Sequence, residues 1–407
     1  MKILWLKSGP LHPLDSGGNI RTFNMLKVLK RRHEVVFLSL LPKGSEVNRT
    51  TGAAEYSHRQ IWVPWVERSK RFPGLHGDLA ANLFSRLPYV IAKYQSEALA
   101  QAIADTTRSH PPDLIVCDFL TPAATLFARG NPQEKALLFQ HNVESLIWQR
   151  LHDQAGGIRR AYFGSQWRRM QRFEREICAR FDGVVGVSED DCAILRREFG
   201  LHNVLGAVPT GVDVAYFQPS TAPRKAQSLV FLGSMDWMPN VDGVRWFAEE
   251  ILPRVQRRFP ATTLSIVGRN PTEAVRLLAS ERAGIRVTGT VPDVRPHLAA
   301  GEVMIVPLRI GGGTRIKIYE GMATGIPVVS TSIGAEGLAS TPNENILLAD
   351  APEEFAVAVC RLLESQELRH RLGEAGRRLV EQNFSWESAT RIFEDYCEGI
   401  RARPMTA

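Results

Sequence analysis

Lys317 and Glu320 stand three residues apart, on one face of a predicted helix, and Arg315 lies beside the run Gly311, Gly312, Gly313 just before it. Two cations next to three residues without side chains suit a diphosphate. Main-chain N–H groups can come within hydrogen-bonding reach of a bulky anion there, and the cations neutralise it. A carboxylate about one turn further along can accept hydrogen bonds from a pair of sugar hydroxyls. The plain alternative is a surface i,i+3 salt bridge and a loose glycine loop. Two further places carry candidate chemistry. Gly17 and Gly18 sit at a strand-to-helix turn, which either faces an anion or is simply tight. Gln140, His141 and Asn142 close an apolar run, which makes His141 a site residue or a structural histidine.

The elements around the glycine run can be read from periodicity. Residues 303–308 have the length and β-branched richness of a strand buried on both faces. Thr314 reads as the N-cap of a helix whose apolar positions are Ile316, Tyr319, Met322 and Ala323. Gly325 and Pro327 end that helix, and residues 326–331 form the next strand. In an open parallel sheet, such a strand, loop, helix, strand unit aims the helix start at the crevice beyond the strand ends.

The run from Gly311 to Thr331 resembles the donor-binding segment of retaining GT-B-fold glycosyltransferases of family four. The resemblance implies that Lys317 helps hold the diphosphate of a nucleotide-sugar donor and that Glu320 holds the nucleotide ribose, with Arg315 a further cation. It places Gly17 and Gly18 beside the donor diphosphate and His141 facing the donor sugar. Residues 209–219 are similar to the family's interdomain segment, with Thr210 where the family usually has Asn. GSMDW at 233–237, GRNP at 268–271 and GTVPDV at 289–294 follow predicted strands. The resemblance implies that GRNP and GTVPDV frame the nucleotide base, although both also read as plain β-α turns, and through it Gly233 and Val291 join Gly311, Gly312, Gly313 and Thr314 as donor-binding candidates. Two departures stand out. The usual Glu eight residues before the ribose Glu is replaced by Gly312, and the Arg commonly found after the first strand of the second domain is absent, with Ser234 and Asp236 there instead. Arg315 is then a candidate for the lost charge, and Glu336 for a contact to the sugar.

The implied architecture is α/β of GT-B type, two Rossmann-like doubly wound parallel-sheet domains facing a central cleft. The 407 residues exceed one ordinary core. We read residues 1–210 as the acceptor-side domain, 211–227 as a linker and 228–384 as the donor-binding domain. A terminal helix over 385–402 crosses back to the first. Predicted strands lie at 3–6, 33–41, 60–64, 113–119, 135–142, 183–188 and 204–210, then at 228–232, 263–267 and 285–288, followed by the glycine-run unit.

Charge and composition narrow the function classes. A net charge of +7 is compatible with anionic substrates, a membrane surface or nucleic acid. No aromatic-rich strand motif or DNA-reading helix supports nucleic acid. Five scattered cysteines without C-x-x-C spacing suggest neither disulfides nor a zinc site, and a reducing cytosol is the simplest home. The opening residues are too weakly apolar for a signal-peptide core, and no window approaches a transmembrane span. Residues 157–181 interleave seven arginines with Tyr162, Phe163, Trp167 and Phe173. They read as a basic aromatic face on anionic lipid at the inner side of a membrane, or as an amphipathic helix with solvated arginines. The absence of Asp-X-Asp argues for diphosphate stabilisation without a metal or other cofactor. The expected activity is transfer of a sugar from a nucleotide diphosphate to a hydroxyl of a saccharide or lipid-linked acceptor, with retention, in surface polysaccharide or glycoconjugate assembly. A nucleotide-sugar epimerase and a non-catalytic sugar-nucleotide binder are the alternatives.

Overall fold

The computed structural model describes residues 1–14, 16–44, 52–66, 82, 85–310 and 316–404. The chain divides into two compact units, Met1–Pro209 with Ala389–Ala407, and Thr210–Ser388.

Unit 1 holds a seven-stranded sheet ordered β3-β2-β1-β4-β5-β6-β7. Its strands are β1 (Lys2–Lys7), β2 (Glu34–Pro42), β3 (Arg59–Trp65), β4 (Leu114–Asp118), β5 (Ala136–Phe139), β6 (Gly183–Gly186) and β7 (Val204–Ala207). All neighbours run parallel. The central strands are apolar on both faces because helices cover both, so β1 is buried from Ile3 to Leu6 and β4 throughout. Its longer helices include α1 (Gly17–Leu29), α2 (Glu97–Ser109), α3 (Glu144–Gln154), α4 (Gly157–Cys178) and α5 (Glu189–Arg197).

Unit 2 repeats the plan with six strands ordered β10-β9-β8-β11-β12-β13. These are β8 (Ser228–Leu232), β9 (Thr263–Val267), β10 (Ile285–Val287), β11 (Val303–Val306), β12 (Val328–Ser330) and β13 (Leu347–Leu348), with helices α6 (Met238–Trp246) and α7 (Ile316–Ala323) among its connections and α8 (Pro352–Glu364) and α9 (Gln366–Asn383) after the last strand. Helix α10 (Trp386–Ala402) begins in unit 2 and ends in unit 1, where Phe393 packs on Trp5 and Phe139 at ring-centroid distances of 5.6 and 5.1 Å.

In each sheet the chain winds outward from the first strand, then returns to its other side. The order reverses between β1 and β4 and again between β8 and β11, and a crevice opens at such a switch beyond the carboxyl ends of the strands. Several elements are shorter than the apolar runs suggested. The strand over 303–308 stops at Val306, before Pro307, and the strand over 135–142 stops at Phe139, leaving Gln140, His141 and Asn142 in the following turn. Gly17 and Gly18 do not precede α1 but form its first turn, capped by the Ser16 hydroxyl, which accepts from the Asn19 N–H at 3.3 Å.

Candidate functional site

In unit 2, α7 presents its chemistry because its other side is anchored. Ile318, Tyr319, Met322 and Ala323 are buried, and the Tyr319 ring stacks on Phe384 at 4.5 Å. Arg377 of α9 ties down the last turn by donating to the Ala323 carbonyl. Lys317 and Glu320 are left half-buried on the remaining face. The Lys317 ammonium donates to Asn240 Oδ1 at 2.7 Å and lies 4.8 Å from the centroid of the Phe231 ring. It therefore reaches across the switch to the carboxyl end of β8. A Cβ built on Gly233 would lie 2.5 Å from Asn240 Nδ2 and 3.0 Å from Lys317 Nζ, so only glycine leaves the ammonium this close to the backbone. Burial pushes the Glu320 carboxyl up to about 7, and Lys317 offsets that only in part. Lys317 and Glu320 thus share one helix face, and Lys317 donates across it to Asn240.

Val291 is half-buried in the loop after β10, at the same carboxyl edge. Glu336 is exposed beyond β12. Gly311, Gly312, Gly313, Thr314 and Arg315 lie outside the described residues.

Unit 1 has its own polar cluster at its switch. Asp118, fully buried at the end of β4, accepts from Lys7 Nζ at the end of β1 at 2.8 Å and from the Thr22 hydroxyl of α1 at 2.8 Å. Its other oxygen lies 2.7 Å from His141 Nε2. A carboxylate can only accept here, so the imidazole proton sits on Nε2 and Nδ1 keeps its lone pair. Nδ1 is buried and has no hydrogen-bond partner among the described residues. Burial lowers the His141 pKa to about 4, against the opposing pull of Asp118 and with help from Arg21 and Lys7, so the ring is neutral near pH 7. Burial would raise the Asp118 pKa, but Lys7 and then His141 overcome this and hold it well below the usual carboxylate range. The Phe119 ring stacks on the imidazole at 3.8 Å and 8°, from a backbone φ of 68°. A Cβ on Gly18 would lie 2.4 Å from Phe119 Cζ, so this glycine makes room for the aromatic cover over His141.

The structure therefore joins His141 to Lys7, Thr22 and Asp118, which sequence reasoning did not single out. The one available signal was Asp118 closing the apolar run of β4, the same pattern that drew attention to Gln140–Asn142. Beneath the turn after β5, the buried Glu174 of α4 accepts from Gln140 Nε2 at 2.6 Å and from the N–H groups of Glu144 and Ser145 at 2.8 and 3.0 Å. It fixes the turn that carries His141. Burial pushes both the Glu174 and Glu144 carboxyls up to about 7.

The aromatic residues of α4 do not form an outward face. Phe173 and Met170 enter the core, Phe163 packs 6.2 Å from Trp148 and Trp167 packs 5.6 Å from His152, both across the α3–α4 pair. Arg169 also turns inward and donates to the carbonyls of Asn82 and Ser85 at 2.6 and 3.0 Å. Arg159, Arg160, Arg168, Arg172 and Arg175 remain exposed, as does Ile158. Among the described residues, no helix is long and apolar enough to cross a membrane.

Two parallel sheets of the same 3-2-1-4 winding, each with charged side chains at its switch, define an α/β protein of the GT-B class. Residues 16–216 match the sequence profile of Glycosyltransferase Family 4 and residues 226–365 that of Glycosyl transferases group 1. The chain belongs to this glycosyltransferase family. Among characterised proteins it is 28% identical over 232 residues to the GDP-mannose-dependent monoacylated alpha-(1-6)-phosphatidylinositol monomannoside mannosyltransferase of Corynebacterium glutamicum, a match covering 52% of this chain and 61% of that protein. It is 31% identical over 171 residues to the phosphatidyl-myo-inositol mannosyltransferase of Mycolicibacterium smegmatis, covering 40% of this chain and 44% of that one. Among solved structures, sucrose-phosphate synthase of Thermosynechococcus elongatus superposes with a TM-score of 0.72 at 16% identity, over 99% of this chain and 100% of the other. A glycosyltransferase of Rickettsia africae gives 0.68 at 16%, over 99% of each chain. At these identities the structures establish the fold.

Proposed function

We propose that this protein transfers a sugar from a nucleotide diphosphate donor to a hydroxyl acceptor with retention at the anomeric carbon. The observation that carries the reading is the Lys317 ammonium held at the carboxyl end of β8, one helix turn from a partly desolvated Glu320. Negative charge grows on the leaving diphosphate as the glycosidic bond breaks, and a preorganised ammonium stabilises that state more than the ground state. Glu320 accepts hydrogen bonds from the ribose hydroxyls. In unit 1 the neutral His141 is the candidate acceptor for a sugar hydroxyl, a role that requires its buried Nδ1 to become accessible past the stacked Phe119 ring. The leaving phosphate oxygen takes the acceptor proton, so no carboxylate base and no metal is required.

The GDP-mannose-dependent relative from Corynebacterium glutamicum supports GDP-mannose as donor, and the inositol phospholipids named for both mannosyltransferase relatives support such a lipid or another lipid-linked glycan as acceptor. The exposed Ile158, Arg159, Arg160, Arg168 and Arg172 then support peripheral contact with an anionic membrane from the cytoplasmic side. The test is incubation with GDP-mannose and uridine, thymidine and adenosine nucleotide sugars, each with phosphatidylinositol and polyisoprenyl-linked acceptors, with and without EDTA. A glycosylated acceptor with the donor's anomeric configuration, formed in EDTA, is expected. An isomerised donor without transfer would identify an epimerase instead, and inverted product or a strict metal requirement would refute the corresponding part of the mechanism.

A further inference from the structure

The loop that leaves β8 is laced to the loop that leaves β9. The Gly233 N–H donates to the Val267 carbonyl at 3.0 Å, and the Met235 N–H donates to the Arg269 carbonyl at 2.8 Å. The backbones touch so closely that a Cβ on Gly268 would lie 1.6 Å from the Gly233 carbonyl oxygen. Within this contact Ser234 is held from two sides. Its carbonyl accepts from Asn240 Nδ2 at 2.9 Å, and the same amide's oxygen holds the Lys317 ammonium at 2.7 Å. Its hydroxyl accepts from Arg269 Nε at 2.8 Å and is close to Asp236 Oδ1 at 2.7 Å, to which it donates. Asp236 is held in turn by Asn270 Nδ2 at 3.1 Å, from a residue at a left-handed φ of 50°.

The consequence is directional. A hydroxyl has one proton; Asp236 takes it, which turns the Ser234 lone pairs to Arg269 and fixes the guanidinium at the carboxyl end of β8. Asp236 is exposed, whereas Arg269 and Lys317 are both half-buried. Two cations from different elements, one after β9 and one on α7, are thus brought to the two sides of a single residue at the switch between β8 and β11. Unlike an ammonium, a guanidinium presents a planar fork suited to two phosphate oxygens.

We propose that Arg269 is a second cation for the donor's outer phosphate, that Asp236 and Ser234 are its positioning residues, and that Lys317 and Arg269 grip that phosphate together. This rests on the reading of unit 2 as the nucleotide-sugar site. The ligand recognised is a nucleoside diphosphate, as opposed to a monophosphate, whatever its base.

The experiment is calorimetric binding of GDP, GMP, UDP and UMP to wild type, Arg269→Gln, Arg269→Lys and Ser234→Ala. Losing one charge-assisted contact should weaken the diphosphate about ten- to a hundredfold in Arg269→Gln and the monophosphate less than about threefold. Arg269→Lys should recover part of the loss, and Ser234→Ala should show a smaller loss with the same preference for the diphosphate. Equal loss for mono- and diphosphate would assign Arg269 to holding the two loops together and overturn the proposal, as would an unchanged diphosphate affinity. Should wild type bind none of these, nor adenosine and thymidine diphosphates, the nucleotide-sugar reading itself fails and takes the proposal with it.

Discussion

Replacing Lys7 with Met should destabilise unit 1 in a pH-dependent way. The Lys7 ammonium lies 2.8 Å from an Asp118 carboxylate that is 0% exposed, and among the described residues the carboxylate's other hydrogen-bond partners are the Thr22 hydroxyl and the neutral His141. Removing one partner of such a buried pair leaves an uncompensated charge and costs about 3–5 kcal/mol. The fold has one means of relief. Without Lys7, a force holding the His141 pKa at about 4 disappears while Asp118 still favours the imidazolium, so the folded pKa rises. A protonated imidazole stabilises the variant below that new pKa, and the relief is lost as pH rises through it. The unfolded imidazole titrates alike in both proteins and cancels. Were the folded pKa to return to the ordinary value near 6.5, the loss at pH 5 would be roughly 2 kcal/mol smaller than at pH 8. Hydrogen-exchange protection of the β4 and β5 amides at pH 5 and pH 8, corrected for intrinsic rates, measures both numbers, with Lys7→Arg as the charge-preserving control. A loss below about 1 kcal/mol at pH 8 would refute the argument that the pair is needed to bury Asp118. An equal loss at the two pH values would refute the compensation by His141.

Glu320→Ala should weaken nucleotide binding by about 1.5–3 kcal/mol in calorimetry, and an unchanged affinity with the fold intact would remove the ribose assignment. Because burial holds the Glu320 carboxyl up at about 7, the wild-type contribution should be complete above that pH and fall away below it, whereas the Ala variant should lack this dependence. Lys317→Ala should lower kcat more than it weakens donor binding, since charge on the leaving group grows toward the transition state; equal losses would mean uniform binding only. Anionic vesicles should retain the protein at low salt and release it at high salt, and the joint replacement of the exposed Arg168 and Arg172 by Gln should reduce retention. Retention unaffected by that change would place the contact elsewhere.

What the sequence determined by itself was local and periodic. Buried parallel strands read as apolar runs because both faces are covered, and α7 was legible because Ile316, Tyr319, Met322 and Ala323 recur on one stripe, which put Lys317 and Glu320 on the other face. The glycine-run motif pointed to the family, and Gln140–Asn142 marked a strand's carboxyl end. Strand ends were overrun by a few residues where Pro307 or a polar turn stops the ladder, since hydrophobicity does not report hydrogen bonding. Tertiary structure alone decided which distant residues meet. Lys7 and Asp118 are 111 residues apart and become neighbours because β1 pairs with β4 across the switch, a pairing that periodicity leaves open. Arg269 reaches Ser234 because β8 pairs with β9, 35 residues away. Likewise the arginines of α4 look alike in sequence, and only the packing of that helix sends Arg169 inward to carbonyl groups while Arg168 and Arg172 stay in solvent. The separation follows from the physics: propensity and amphipathicity act within one element, whereas buried charge is tolerated only where the order of strands brings its partners within hydrogen-bonding distance.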